Sequence, residues 1–248
     1  MSKIKSLYPS TKLVLLLTIG VSPFIIENPF VGFITFGLIT IISIYNGIGI
    51  RFLRIIRNTL LILAIFMLIM RSLFIVGDDL HYVYQIASLK ISIEGIVSGL
   101  YMSGRMLSLG SSLILFFEIT STQDIVANLK NTGVNPKVTY VMLASLQMIP
   151  EMKKQSNTIM EAQQSRGIET TGNIITRLKA LIPSVTPLVL SSILNTEEKA
   201  LTLEARAFTI KGPKTSLHKI YKKRSDKNIF WICLLIILIL IIMKVFIW

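Results

Sequence analysis

Residues 229–247 read IFWICLLIILILIIMKVFI, nineteen positions that carry one charge, Lys244, and no acid. A helix rising about 1.5 Å per residue needs roughly 20 mostly apolar residues to cross a hydrocarbon layer about 30 Å thick. This stretch satisfies that requirement, and residues 30–50, 58–76 and 95–119 do so as well. A fifth segment, 11–26, is shorter and contains Pro23, but it is uncharged after Lys12 and leads through Glu27-Asn28-Pro29 into the next apolar block. It lacks the small-residue cleavage pattern of a signal peptide and is read as a span. The expected fold is an all-α integral membrane protein with about five transmembrane helices.

Composition agrees. The chain has 248 residues, 52% hydrophobic and 16% charged, with a mean hydropathy of +0.67. Soluble domains are nearer one quarter charged, so an ordinary cytosolic enzyme and a disordered chain are both excluded. One cysteine, Cys233, rules out a disulfide scaffold and reads as filler packed against lipid or helix. The net charge of +13 is segregated: no Lys or Arg lies between Lys12 and Arg51, whereas seven fall between Lys211 and Lys227. Nucleic-acid binding needs a basic face on a folded soluble surface, which this pattern does not offer. Positive residues favour the cytoplasmic side. An N-terminus inside places 22 of the 26 Lys and Arg in the cytoplasm and only Lys90 and Lys244 outside. The expected location is the cell membrane, with the C-terminus outside. Arg71 is near enough to a span end to snorkel, and Arg105, nearer mid-span, is expected to face other helices and pair with a carbonyl, Glu94 or Glu118.

The chain divides into a four-span region, 1–119, a cytoplasmic region, 120–227, and a C-terminal span, 228–248. The middle region has helical punctuation. Ser121 or Thr122 can cap a helix from Asp124 to Lys130 that stops at Gly133. Pro136 suits the first turn of a second helix ending near Gly167, with a kink or interruption expected at Pro150. A third runs from about Asn173 to about Phe208, with kinks expected at Pro183 and Pro187. Stretches 138–149 and 180–194 are strongly apolar but too short to span comfortably. Such amphipathic helices either pack on one another or bury a face in lipid or a partner. Both readings fit.

The last two helices end alike. One closes with Glu161-Ala162-Gln163-Gln164-Ser165-Arg166-Gly167, the other with Glu204-Ala205-Arg206-Ala207-Phe208. On helical spacing Ile159, Ala162 and Arg166 share a stripe, while Arg206 flanks the stripe of Leu194, Leu201, Ala205 and Phe208. A single Arg near a helix C-terminus is explained by the macrodipole. Two, each among small residues that leave the guanidinium unshielded, suggest entry into grooves on other proteins.

In this order and spacing the chain resembles the transmembrane T component of energy-coupling factor transporters, the family that includes the CbiQ-like subunits of cobalt and nickel importers. The residues that carry the resemblance are Pro9-Ser10-Thr11-Lys12, Glu94-Gly95, Arg105, Thr120-Ser121-Thr122, Asp124-Ile125, Ile149-Pro150, Ala162 to Gly167, Pro183 with Pro187, and Ala205-Arg206-Ala207-Phe208. Ser165 stands where the family has Ala, Ala207 where it has Gly, and Gln147 where an Arg often precedes Ile-Pro. The resemblance implies a non-enzymatic scaffold in the lipid bilayer, with no cofactor, metal or catalytic residue of its own. Two cytoplasmic ABC-type ATPases would dock at Ala162, Ser165, Arg166 and Gly167 and at Ala205, Arg206 and Ala207. A membrane S component carrying a vitamin or metal ion would meet Met142, Leu146, Met148, Leu181, Val185 and Leu188.

The residues agree with that division of labour. The chain has no G-x-x-x-x-G-K-[ST] phosphate loop. It lacks the intramembrane acids and repeated spans of a secondary transporter. The rival is a membrane enzyme of the CDP-alcohol phosphotransferase type, whose chemistry needs clustered aspartates to hold metal against a diphosphate. Around Arg206 the nearby acids are only Glu197, Glu198 and Glu204, and His81 and His218 are expected on opposite sides of the membrane.

Overall fold

A computed structural model describes residues 7–26, 28–74, 82–86, 89–169, 173–208, 210 and 222–247. Glu27, His81, His218 and the basic positions from Lys211 to Lys219 lie outside these. The chain forms two compact units, residues 1–128 with 220–248, and residues 129–219. The first contains helices α1 (Pro9–Ile25), α2 (Pro29–Tyr45), α3 (Gly49–Ile56), α4 (Ile62–Phe74), α5 (Ile93–Ile119) and α9 (Arg224–Ile247). Helix α6 (Thr122–Asn131) belongs to it up to residue 128, and the second unit is built from α7 (Pro136–Ser165) and α8 (Ile174–Ala205).

Helix α5 is central to the first unit and packs against α1, α2 and α4. Its buried face is made of small residues, among them Gly99, Ser103, Gly104, Ser108, Ser111 and Ser112. Between helices in lipid there is no hydrophobic drive to associate, so close packing and interhelical hydrogen bonds must hold them. Both are present. A Cβ placed on Gly32 of α2 would clash with the backbone of Gly104, so the two backbones meet where neither has a side chain. Thr35 Oγ1 donates to Ser108 Oγ at 2.8 Å, and Ser112 Oγ donates to the carbonyl of Leu16 on α1. Apart from one apolar cluster, many large side chains turn outward: Phe30, Ile34, Phe66, Trp231 and Phe246 are each more than half exposed. That is the pattern of a bundle solvated by lipid.

The spans differ in length from the expected ones. Helices α1 and α2 have 17 residues each, about 25 Å of rise. Asn28 caps α2, its Oδ1 accepting from Phe30 N–H at 3.1 Å, and Pro29 occupies the first turn. Among the described residues, three helices are long and apolar enough to cross a bilayer: Gly49–Phe74, Ile93–Ile119 and Arg224–Phe246. The expected second span, 30–50, stops at Tyr45, where Asn46 Nδ2 donates back to the Ile42 carbonyl at 2.7 Å. The third begins at Gly49 rather than 58 and continues through a π-turn, Arg57–Leu61, into α4. Arg51, Arg54 and Arg57 therefore stand on a helix, not in a loop. The reason is amphipathicity: Phe52 and Ile56 face a core with Leu16, Ile39, Leu115, Phe116 and Ile119 while the arginines point away from it.

One short antiparallel hairpin departs from the otherwise all-α fold. Strands β1 (Tyr82–Ile86) and β2 (Leu89–Ser92) pair with Ile86 opposite Leu89 and Tyr82 opposite Ser92, and β2 leads directly into α5. Ser92 is the N-cap, its Oγ accepting from Gly95 N–H at 3.0 Å.

Cations close the bundle at both ends. Lys12, 3% exposed, donates through Nζ to the Ile119 carbonyl at 3.3 Å, and the carboxylates of Asp124 and Asp226 lie close enough to attract it. Thr11 Oγ1 donates to the Asp226 carbonyl at 3.3 Å, which fixes the start of α9 beside α1. At the opposite end Arg105 Nε donates to the Pro23 carbonyl at 3.0 Å, and its guanidinium lies near the rings of Phe24 and Tyr101. Lys244 Nζ reaches the Phe24 carbonyl at 3.3 Å. Among the partners expected for Arg105 the carbonyl is observed, and Glu118 pairs instead with Arg51 at 3.2 Å. Cys233 is buried within α9. Gly32→Leu should force α2 away from α5 and cost about 1–3 kcal/mol, the usual cost of overpacking. A lowered thermal midpoint in detergent, with Gly37→Leu as the unaffected control in open space, would show it.

Candidate functional site at two helix ends

Helices α7 and α8 lie antiparallel, and four contacts show how. The rings of Tyr140 and Phe208 meet at a tilt of 51°, with centroids 5.0 Å apart. Glu151 and Lys199 form an ion pair at 3.1 Å. Ser184 Oγ meets Met160 Sδ at 3.2 Å, and Gln163 Nε2 donates to the Pro183 carbonyl at 3.3 Å. The last contact has a local cause. Pro187 has no N–H to donate to the carbonyl four residues earlier, so the Pro183 carbonyl is left an unfilled acceptor, and the buried Gln163 supplies the donor. Helix α7 continues through Pro150 without interruption, and α8 continues through Pro183 and Pro187.

Both helices end in the same way. On α7 the Ile168 N–H donates to the Gln163 carbonyl at 3.1 Å and the Gly167 N–H to the Gln164 carbonyl at 3.0 Å, with Gly167 at φ +87°. On α8 the Phe208 N–H donates to the Leu203 carbonyl at 2.9 Å and the Ala207 N–H to the Glu204 carbonyl at 2.8 Å, with Ala207 at φ +56°. Each pair of bonds is a Schellman motif, and in each the arginine is the C-cap residue. Backbone N–H groups thus fill the carbonyls of Gln163 and Gln164 and of Leu203 and Glu204, and neither arginine side chain is needed for those bonds. Arg166 and Arg206 are exposed, and among the described residues neither guanidinium has a hydrogen-bond or ion-pair partner. Ala162, Ser165 and Gly167 around the first, and Ala205 and Ala207 around the second, are exposed and small. Ser165 turns its hydroxyl back to the Glu161 carbonyl at 3.1 Å.

The antiparallel arrangement puts the arginines at opposite ends of the hairpin. Gln163 sits opposite Pro183, and the stretch from Pro183 to Arg206 at 1.5 Å per residue separates the two ends by roughly 35 Å. The six apolar candidates are not brought together. Met142, Leu146 and Met148 lie toward the Arg206 end, while Leu181, Val185 and Leu188 lie toward the Arg166 end; Met148 and Leu188 are half-buried and the rest exposed. Sequence reasoning passed over Gln163, although the Pro183-to-Pro187 spacing signalled a carbonyl needing a donor.

Residues 1–217 match the CbiQ family, described as a cobalt transport protein. The chain belongs to the CbiQ family. Its relatives include three energy-coupling factor transporter transmembrane proteins EcfT. That of Thermosediminibacter oceani is 28% identical over 240 residues, covering 92% of this chain and 89% of the relative. That of Acidaminococcus fermentans is 30% identical over 239 residues, covering 91% and 86%. That of Staphylococcus aureus is 27% identical over 252 residues, covering 98% and 93%. The chain is therefore a multi-pass T component of the energy-coupling factor type, in a family of transporter subunits rather than of phosphotransferases. Ala207 carries a measurable cost, since a residue with a Cβ in the left-handed region is disfavoured by about 1–2 kcal/mol. Ala207→Gly should raise the thermal midpoint of this CbiQ-family protein, while Gly167→Ala should lower it.

Proposed function

We propose that this T component couples two cytoplasmic ABC-type ATPases to a membrane S component that carries a vitamin or metal ion. Each Schellman end docks one ATPase, Arg166 with Ala162, Ser165 and Gly167 on one, Arg206 with Ala205 and Ala207 on the other. The observation that carries the reading is the pair of matched ends, each with an arginine uncommitted among the described residues, at opposite ends of one antiparallel hairpin. Small neighbours let a guanidinium enter a groove, and its planar fork of donors suits a carboxylate or backbone carbonyls. When the ATPases close on ATP, the two ends are pulled together or apart, and the motion passes along α7 and α8 to the apolar side chains on their exposed faces. Those faces, with Met142, Leu146, Leu181 and Val185, are the surface offered to the S component. The chain itself supplies binding and force transmission, without a bond-breaking step. The N-terminus lies in the cytoplasm and the C-terminus outside, as the distribution of Lys and Arg favours.

Removing a central interface arginine commonly costs on the order of 2 kcal/mol, or about 30-fold in affinity. The double change Arg166→Ala with Arg206→Ala should abolish co-purification of both ATPases from detergent, and each single change should weaken it. Lys153→Ala, on an exposed position of α7, is the control; Lys222 is unsuitable because its ammonium lies over the rings of Tyr8 and Phe230. Retention of both ATPases by the double variant would remove the docking role. Orientation is tested separately in a Cys233→Ser background. A membrane-impermeant maleimide added outside should label Asp79→Cys and leave Thr132→Cys unlabelled in intact cells, and the reverse result inverts the topology.

A further inference from the structure

The turn between α2 and α3 borders a cleft of 670 Å³ whose walls include Ile44, Ile48, Ile50 and Leu53 together with Arg51 and Arg54. Its chemistry is divided. The aliphatic side chains are open, with Ile50 80% and Ile44 57% exposed, and Tyr45 beside them is 82% exposed. Positive charge exceeds negative: Arg51 is paired with Glu118, Arg57 donates only to the neutral Asn58, and Arg54 has no hydrogen-bond or ion-pair partner among the described residues. Three arginines within seven positions are thus answered by one carboxylate. Below the cleft an exposed apolar track continues down α2 through Ile41, Leu38, Ile34 and Phe30, at spacings of three, four and four residues that keep it on one helix face.

We infer that this cleft is a binding site for an anionic phospholipid, its phosphate held by Arg54 beside Arg51 and one acyl chain lying along the exposed track of α2. A soluble phosphate would use the guanidinium groups but leave the track and the cleft walls uncovered. A zwitterionic lipid would bring an ammonium into a region already rich in cations. An anionic headgroup satisfies both halves, because arginine forks match phosphate oxygens and the basic surplus draws negative lipid to the interface. The site lies at the same end of the bundle as Lys12 and the Arg51–Glu118 pair, where spanning helices meet the headgroup layer.

Native mass spectrometry of the full chain, released from nanodiscs holding equal phosphatidylglycerol and phosphatidylcholine, should show retained phosphatidylglycerol at least fivefold in excess. Arg54→Gln should reduce that excess to below twofold, Arg54→Lys should keep part of it, and Lys137→Gln in the other unit should leave it unchanged. Equal retention of the two lipids by the wild type, or an undiminished excess in a monodisperse Arg54→Gln protein, overturns the proposal. Displacement of phosphatidylglycerol by millimolar inorganic phosphate also overturns it, and identifies a soluble anion as the occupant. A second measurement leaves every arginine in place. Tyr45→Trp introduces a fluorophore beside the cleft, and phosphatidylglycerol brominated on its acyl chains should quench the added emission at least twofold more than brominated phosphatidylcholine. Equal quenching counts against the site.

Discussion

The backbones of α2 and α5 cross at Gly32 and Gly104, with no side chain on either to separate them. In water a helix pair can rely on burying leucines, but in lipid a leucine is as well solvated outside as inside. The bundle therefore depends on how closely backbones approach and on which hydroxyls find carbonyls. Helix α5 supplies both, with glycines where α2 and α4 press against it and serines where α1 offers a carbonyl acceptor and α2 a hydroxyl donor. The same economy of side chains leaves α9 largely outside: it packs on α1, and most of its apolar surface is exposed.

The polar groups inside this framework answer backbone needs. The last carbonyls of a helix have no intrahelical donor, and a lipid environment offers no water to replace one. Lys12 reaches the end of α5, while Arg105 and Lys244, from elements far apart in sequence, reach successive carbonyls at the end of α1. Cations at helix C-termini are also favoured by the macrodipole. Arg105 is thus occupied in holding the α1 terminus, which accounts for an arginine deep in a bundle without assigning it a place in a transport path.

Local signals in the sequence located much of this. Ser121, Gly133, Pro136 and Gly167 mark helix boundaries by steric and capping rules that act within a few residues, and the helices end where those residues stand. The matched arginine ends were legible as a repeated pattern. Their shared Schellman geometry was not, since Ala207 gives no sign of a left-handed backbone. The start of α3 was missed because three arginines interrupt a hydropathy window, although Phe52 and Ile56 between them face the core. The hairpin at Tyr82–Ser92 is too short for a periodic signal. Pairing of α7 with α8 rests on contacts twenty to sixty-eight residues apart, such as Gln163 with Pro183 and Tyr140 with Phe208, and these leave no local trace. For the same reason two apolar stretches that read alike in sequence turned out to lie toward different ends of the hairpin.

Two antiparallel helices that finish in the same motif at opposite ends are related by an approximate two-fold axis passing between them. One polypeptide so arranged presents what a symmetric dimer presents: two equivalent termini facing away from each other. The equivalence extends to the backbone hydrogen bonds but not to the residues, because glycine occupies the left-handed position at one end and alanine at the other. The Gly167 terminus is relaxed and the Ala207 terminus is held under strain. A pair of identical bodies meeting this hairpin would therefore find two ends alike in backbone hydrogen bonding but unequal in strain, and perfect symmetry would be broken at the first contact.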